Sequence, residues 1–73
     1  MTDVLEEHYI MRKYTIILEP DTEEGGYTVT VPALPGCITQ GETILQCIER
    51  AREAITGYIE SLRVVGETVP EEN

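Results

Sequence analysis

Seventeen consecutive residues organise this chain: Tyr27-Thr-Val-Thr-Val-Pro32-Ala-Leu-Pro35-Gly36-Cys37-Ile-Thr-Gln-Gly41-Glu-Thr43. Residues 27–31 alternate between two faces and are rich in β-branched side chains, which predicts a half-buried strand. Pro32 ends that strand because it has no N–H to donate to the ladder, and Pro35-Gly36 marks a turn. Residues 37–40 predict another short strand, and Thr43 is a suitable N-cap for a helix. The stretch therefore predicts a strand, a turn, a second strand and the start of a helix.

The segments before this stretch predict one more strand and a short helix. Residues 13–19 alternate, with Tyr14, Ile16 and Leu18 on one face, and form the first predicted strand. Residues 21–26 are rich in turn formers and join that strand to residues 27–31 as an antiparallel hairpin. Upstream, residues 2–11 are predicted to form a short helix with Thr2 as its N-cap. A meander is the simplest connection for the three predicted strands.

The segment after Thr43 has the pattern of a long amphipathic helix. Thr43 and Gln46 fit a capping box, and the helix is predicted to end near Arg63, because Gly66 is a stop signal. Its apolar stripe consists of Ile44, Ile48, Ala51, Ile55, Tyr58 or Ile59, and Leu62, with Cys47 and Ala54 flanking it. Residues 67–73 are predicted to be a mobile acidic tail.

These elements predict an α+β fold of two layers, in which a three-stranded antiparallel sheet carries one long helix on one face. The chain is interpreted as a single domain over residues 1–73, with residues 1–12 as an N-terminal extension and 67–73 as the tail. The other sheet face is left with β-branched side chains, namely Thr15, Ile17, Thr28 and Thr30. Because open faces and open edges invite pairing, we expect a homodimer or a partner laid on the edge.

Composition narrows the class of partner. The 73 residues carry fourteen Asp and Glu against five Lys and Arg, a net charge of −9, which disfavours direct binding to nucleic acid phosphates. The negative charge either suits a basic partner or only keeps a small protein soluble, and composition alone favours the second interpretation. Two cysteines do not make a disulfide scaffold, and no apolar run is long enough to span a bilayer. The N-terminus lacks the features of a secretory signal, so we expect a cytoplasmic protein.

The run from Gly25-Gly26-Tyr27 through Pro32-Ala-Leu-Pro35-Gly36-Cys37 to Thr39-Gln-Gly41-Glu-Thr43, followed by a helix, resembles the HicB antitoxin family. The resemblance extends over residues 13–70. It implies a degenerate RNase H-like fold, and a protein that neutralises a small basic ribonuclease, HicA, by covering its active site. Longer members carry a DNA-binding module, and many add a C-terminal strand. Neither is evident here, so DNA binding is not carried over.

Five carboxylates are the candidate partner-binding residues: Glu19, Asp21, Glu23, Glu24 and Glu42. They either meet a basic toxin surface or are simply solvated, and the sequence favours neither reading. A third reading, a two-metal nuclease, needs carboxylates with recognisable ligand spacing, which these lack. No catalytic residue, metal ligand or cofactor is predicted, and His8 and Cys37 have no partner in sequence for acid–base or nucleophilic chemistry.

Three hypotheses about function follow. The first is an antitoxin that binds and occludes a basic HicA-type mRNA-cleaving toxin. The alternative is a stand-alone oligomeric module for protein interaction or regulation, without a toxin partner. The third, an enzyme of the RNase H type, depends on the acidic loop holding metal ions, which its spacing does not indicate.

Overall fold

The computed structural model describes residues 6–72 and has the architecture of an α+β domain with two layers. Its elements are β1 (Glu7–Met11), β2 (Tyr14–Pro20), β3 (Tyr27–Thr30), β4 (Ile38–Gly41) and α1 (Ile44–Val64). The strands form one antiparallel sheet in the order β1-β2-β3-β4, so the predicted meander is confirmed. Helix α1 packs on one face of this sheet, mainly against β4.

The sheet has four strands, so the prediction of three strands is wrong, although the fold class is right. The extra strand is β1, which pairs with β2 from Glu7 opposite Leu18 to Met11 opposite Tyr14. The prediction of a short N-terminal helix over residues 2–11 is wrong for residues 6–11, which contain no helix. Residues 2–5 of that prediction lie outside the described range. Residues 7–11 therefore belong to the sheet.

The turn between β1 and β2 explains why the sequence pattern does not indicate that β1 is a strand. Arg12 and Lys13 both have positive φ angles, 51° and 70°, as the two central residues of a tight hairpin turn do. Such turns normally contain Asn or Gly, and neither residue is present here. Tyr9 and Met11 pack against the core while Ile10 is 80% exposed, which is the alternation of a strand at the sheet edge.

Helix α1 begins as predicted at its N-cap, Thr43. The Gln46 N–H donates to Thr43 Oγ1 at 3.0 Å, and the Glu42 N–H donates to Gln46 Oε1 at 2.7 Å. The return bond thus reaches Glu42, one residue before the position that a standard capping box uses. At the other end, α1 stops within one residue of the predicted Arg63.

The buried stripe of α1 is rotated relative to the predicted one. Its buried members are Cys47, Ala51, Ile55 and Ile59. Cys47, predicted to flank the stripe, is 0% exposed, whereas Ile44 and Ile48 are only partly buried. The cause is Gly41, where an added Cβ would lie 2.9 Å from Cys47 Sγ. A glycine at the end of β4 therefore lets the first turn of the helix lie directly against the strand.

The loop between β3 and β4 closes one side of the core. Three backbone hydrogen bonds hold it: Val31 N–H to Cys37 O, Leu34 N–H to Val31 O and Cys37 N–H to Leu34 O. Leu34 is 1% exposed and joins the core built from the sheet and α1. The predicted turn is therefore also a packing element.

Residues 67–72 fold back onto β2, unlike the mobile tail that was predicted. The Tyr14 hydroxyl donates to Pro70 O, and the Glu72 carboxylate accepts from both the N–H and the Oγ1 of Thr15. Thr15 lies beyond Ile17, the last β2 residue that pairs with β3. The Glu72 side chain thus accepts a backbone N–H that β3 no longer reaches, because the chain has turned away after Thr30.

The contact between Glu72 and Thr15 predicts that residues 67–72 detach from β2 at low pH. The hydrogen bonds from Thr15 lower the pKa of Glu72 below its ordinary value of 4.5. Because the pKa is lowered in the folded state, the contribution of the contact is complete above pH 4.5 and is lost as the pH falls through the lowered value. The amide NMR signal of Thr15 should shift over that range in the wild-type protein and not in Glu72→Gln. A shift that persists in Glu72→Gln, or that disappears in the control Glu71→Gln, would contradict the assignment.

Candidate functional site

The five candidate carboxylates gather at one end of the sheet, in a region that we call the acidic corner (Glu19, Asp21, Glu23, Glu24 and Glu42). Pro20 of β2 pairs with Tyr27 of β3, which in turn pairs with Gly41 of β4. The loop that leaves β2 and the residues that leave β4 therefore start from the same end of the sheet. This places the acidic loop of residues 21–26 beside Glu42 at the entrance to α1.

Gly26 brings the loop against the junction of β4 and α1. Its φ angle is +73°, and an added Cβ would lie 2.6 Å from the Gly41 carbonyl oxygen. Gly25 also has a positive φ, +82°, but no atom of residues 6–72 other than its chain neighbours lies within 4 Å of the position its Cβ would take. The two glycines are therefore not equivalent: both allow the left-handed backbone, and only Gly26 is needed for close approach.

Asp21 is a structural residue of the loop as well as a charged one. Its Oδ1 accepts the N–H of Glu23 and the N–H of Glu24, each at 3.0 Å. Its backbone N–H donates to Gly26 O at 2.9 Å, and its carbonyl accepts the Gly25 N–H at 2.9 Å. The Asp21 side chain thus orders the backbone that displays Glu23 and Glu24, a role that the sequence pattern alone does not indicate.

Two shallow depressions divide the acidic corner between them. One, of about 310 Å³, is lined by Asp21, Glu24, Gly25, Tyr27, Gln40, Gly41, Glu42, Gln46 and Arg50. The other, of about 400 Å³, is lined by Glu19, Pro20, Asp21, Thr22, Glu23 and Thr28. Asp21 is common to both, so the structure brings all five predicted residues into one continuous surface. Glu24 and Glu42 face one side of it, and Glu19 and Glu23 lie on the other.

The carboxylates of this surface form no ion pair within the described residues. Over residues 6–72, the only contact within salt-bridge distance joins His8 Nε2 and Glu6 Oε1 at 3.4 Å, and no carboxylate pairs with a Lys or Arg. Arg50 lines the first depression but forms no such pair. The carboxylates of Glu23, Glu24 and Glu42 are exposed. They are therefore available to positively charged groups of another molecule.

The structure offers no arrangement for metal or thiol chemistry in the part of the chain that it describes. There, no three His, Cys, Asp or Glu side chains are placed to hold a metal ion. Cys37 and Cys47 are free and buried, and burial raises the pKa of both thiols. Both thiols are therefore poor nucleophiles at neutral pH. The exposed His8 lies on β1, at the opposite edge of the sheet from β4, the strand that follows Cys37.

A second surface lies on the helix side of β4 and was not foreseen. It is a groove of about 590 Å³, lined by Gly36, Cys37, Ile38, Glu53, Ala54, Gly57, Tyr58, Ser61 and Leu62. The Tyr58 hydroxyl donates to Pro35 O at 2.8 Å and holds the helix against the loop at this point. The available signal was Gly57, a glycine inside a predicted helix, which often has a packing or functional reason.

Comparison with known proteins assigns the chain to a family. A sequence profile described as the HicB_like antitoxin of bacterial toxin-antitoxin systems matches residues 14–73. A UPF0150 protein of Thermoplasma acidophilum is 51% identical over 84% of this chain and 87% of its own length. A UPF0150 protein of Synechocystis is 43% identical over 82% of the chain and 75% of its own length.

Proteins named as antitoxins are also among the relatives. Antitoxin HicB 1 of Photorhabdus laumondii is 38% identical over 80% of this chain, but the match covers 37% of that protein. No solved structure matches the chain at a significant level. In addition, no helix within residues 6–72 is long and apolar enough to cross a membrane. The chain belongs to the HicB-like antitoxin family.

Proposed function

We propose that this protein is a cytoplasmic antitoxin that binds and occludes a small basic HicA-type mRNA-cleaving toxin. The family assignment supports an antitoxin-like and non-enzymatic role, because relatives over most of this chain are named as HicB antitoxins. The observation that carries the choice of partner is the acidic corner, whose carboxylates form no ion pair with Lys or Arg in residues 6–72. A basic protein surface is the partner that such a patch fits best.

Occlusion in this proposal has an electrostatic and a steric part. A ribonuclease attracts RNA through positive charge near its active site, since phosphate contacts dominate nucleic acid affinity. The acidic corner competes for the same positive charge and, once bound, repels the RNA backbone. The ordered loop around Asp21 supports this because Glu23 and Glu24 are displayed from a backbone already fixed by hydrogen bonds. Less conformational entropy is then lost on binding. Inhibition of this kind needs no catalytic group.

Charge reversal at the corner tests the proposal. The triple variant Glu23→Lys, Glu24→Lys and Glu42→Lys should weaken binding to the basic ribonuclease encoded beside this gene by about a hundredfold, since three favourable charge contacts become repulsive. The matched control is Glu49→Lys, Glu60→Lys and Glu67→Lys, also three exposed glutamates. Each replacement adds two charges, so both variants change the net charge from −9 to −3. The measurement is RNA cleavage by the toxin against increasing concentrations of each variant.

The outcomes separate the two leading hypotheses. If an excess of the wild-type chain leaves RNA cleavage untouched, the antitoxin proposal fails. If both triple variants lose inhibition equally, the inhibition depends on net charge and the acidic corner is not the site. Absence of any gene for a small basic protein beside this one would favour the stand-alone interaction module instead.

A further inference from the structure

Strand β4 ends the sheet with unpaired backbone groups. It is the last strand in the sheet order and, among the residues that the structure describes, pairs only with β3, from Tyr27 opposite Gly41 to Thr30 opposite Ile38. The hydrogen bond from Val31 N–H to Cys37 O shows which residue pairs of β3 and β4 are the hydrogen-bonded ones. Because hydrogen-bonded pairs alternate along an antiparallel ladder, Thr39 and Gly41 bond to β3. The N–H and C=O groups of Ile38 and Gln40 therefore point away from the sheet.

The β4 edge also lacks the charges that usually protect an edge strand. Residues 35–41 contain no Asp, Glu, Lys or Arg, in a chain whose net charge is −9. At the other edge, β1 carries Glu7 and His8 and is followed by Arg12 and Lys13. Natural proteins place charges on free edges to prevent pairing with other chains, so an uncharged edge is typical of one that is paired in the native assembly. Ile38, on this edge, is 63% exposed.

We propose that β4 pairs with β4 of a second copy of this chain, antiparallel and related by a two-fold axis at Thr39. Ile38 then lies opposite Gln40 of the second copy, and Gln40 lies opposite Ile38 of the second copy. The outward N–H and C=O groups of these residues form four backbone hydrogen bonds, and the two sheets become one of eight strands. A second copy fits because the edge is self-complementary under a two-fold axis. It also fits because residues 35–41 can meet without bringing like charges together, whereas the acidic corner cannot.

The groove beside β4 fits the same arrangement. With the axis perpendicular to the sheet, α1 of both copies lies on the same face, one on each side of the axis. The groove contains Ala54, Gly57 and Ser61, whose small side chains leave room between the helices. Within residues 6–72, apart from its own helix backbone and chain neighbours, no atom lies within 4 Å of a Cβ added at Gly57, so packing among these residues does not require glycine there. The close approach of a second helix provides a reason for it.

The oligomeric state of the purified chain, without any toxin, tests this proposal. Sedimentation equilibrium should give twice the 8.2 kDa of one chain at micromolar concentrations. Gln40→Pro removes an N–H that points to solvent in one copy, a substitution that edge strands tolerate. It should raise the dissociation constant of the dimer at least tenfold, since two intermolecular hydrogen bonds are lost. Ile38→Lys, which places a charge at the interface, should also give monomers.

The matched control is Ile10→Lys, on the opposite edge strand, where the side chain is 80% exposed. This variant should remain dimeric with an unchanged dissociation constant. A monomeric wild-type chain overturns the proposal. So does a Gln40→Pro variant that is folded by circular dichroism and still dimeric. If Ile10→Lys and Ile38→Lys both dissociate the dimer while Gln40→Pro does not, the uncovered sheet face is the interface and the β4 proposal is wrong. These results do not depend on whether the chain inhibits a toxin.

Discussion

Gly26→Ala is expected to lower the free energy of unfolding by about 2–5 kcal/mol, the sum of a strained backbone and an overpacked contact. An L-residue at the observed φ of +73° is strained, and its methyl group would lie 2.6 Å from the backbone oxygen of Gly41. Backbone atoms at a strand end cannot rotate away as a side chain can. For a domain of this size the loss is a large fraction of the total stability. Urea unfolding followed by circular dichroism measures it.

Gly25→Ala is the matched control for this prediction. Gly25 has a similar φ of +82° but open space around the position of the added Cβ. This variant should therefore lose only about 1 kcal/mol, the strain of the left-handed backbone. Equal losses for the two variants would show that the contact with Gly41 does not limit the loop. The loop would then not be held against the entrance to α1 in the way that the acidic corner requires.

Leu34→Ala should be the other strongly destabilising change, with an expected loss of about 2–5 kcal/mol. Leu34 lies in the loop between β3 and β4 and is 1% exposed. Its truncation would leave a cavity between the sheet and α1, because the hydrogen bonds at Val31 and Cys37 keep the loop from collapsing into the space. The melting temperature should fall by about 10 °C or more in a domain of this size.

Leu45→Ala removes the same atoms from an exposed site and serves as the control. Leu45 is 69% exposed in the first turn of α1. Its substitution should change the free energy of unfolding by no more than about 0.5 kcal/mol. If Leu34→Ala is as mild as Leu45→Ala, the loop does not contribute to the core, and the role of residues 32–36 is only to turn the chain.

Local patterns predicted most of the elements. The alternation of residues 13–19 and 27–31 and the hydroxyl of Thr43 were sufficient to place β2, β3 and the start of α1 nearly to the residue. These signals depend on neighbours in sequence, where periodicity and capping chemistry operate. The strand β1 lacked such a signal because Arg12 and Lys13 form its turn without a glycine. Pairing with β2, which sequence periodicity alone does not reveal, makes that segment a strand.

The candidate site also has features that the sequence predicts and features that depend on the tertiary structure. The five acidic positions were evident from composition and from the loop between two strands, and the structure brings them onto one surface. The structural role of Asp21 was not evident from the sequence. The sequence shows an aspartate in either case, whether its carboxylate orders the loop or only carries charge. The docking of Glu72 on Thr15 was equally hidden, since it joins residues 57 positions apart.

The sequence alone determined the fold class, the strand–turn–strand order from Tyr27 to Thr43, the helix and the negative charge, because each follows from local chemistry. Tertiary structure decided which glycine makes a close backbone contact, that both cysteines lie in the core, where residues 67–72 rest and which strands form the two edges of the sheet. Those properties depend on contacts between segments that are distant in sequence. The contact of Gly26 with Gly41 is an example, because it exists only once β3 and β4 are paired.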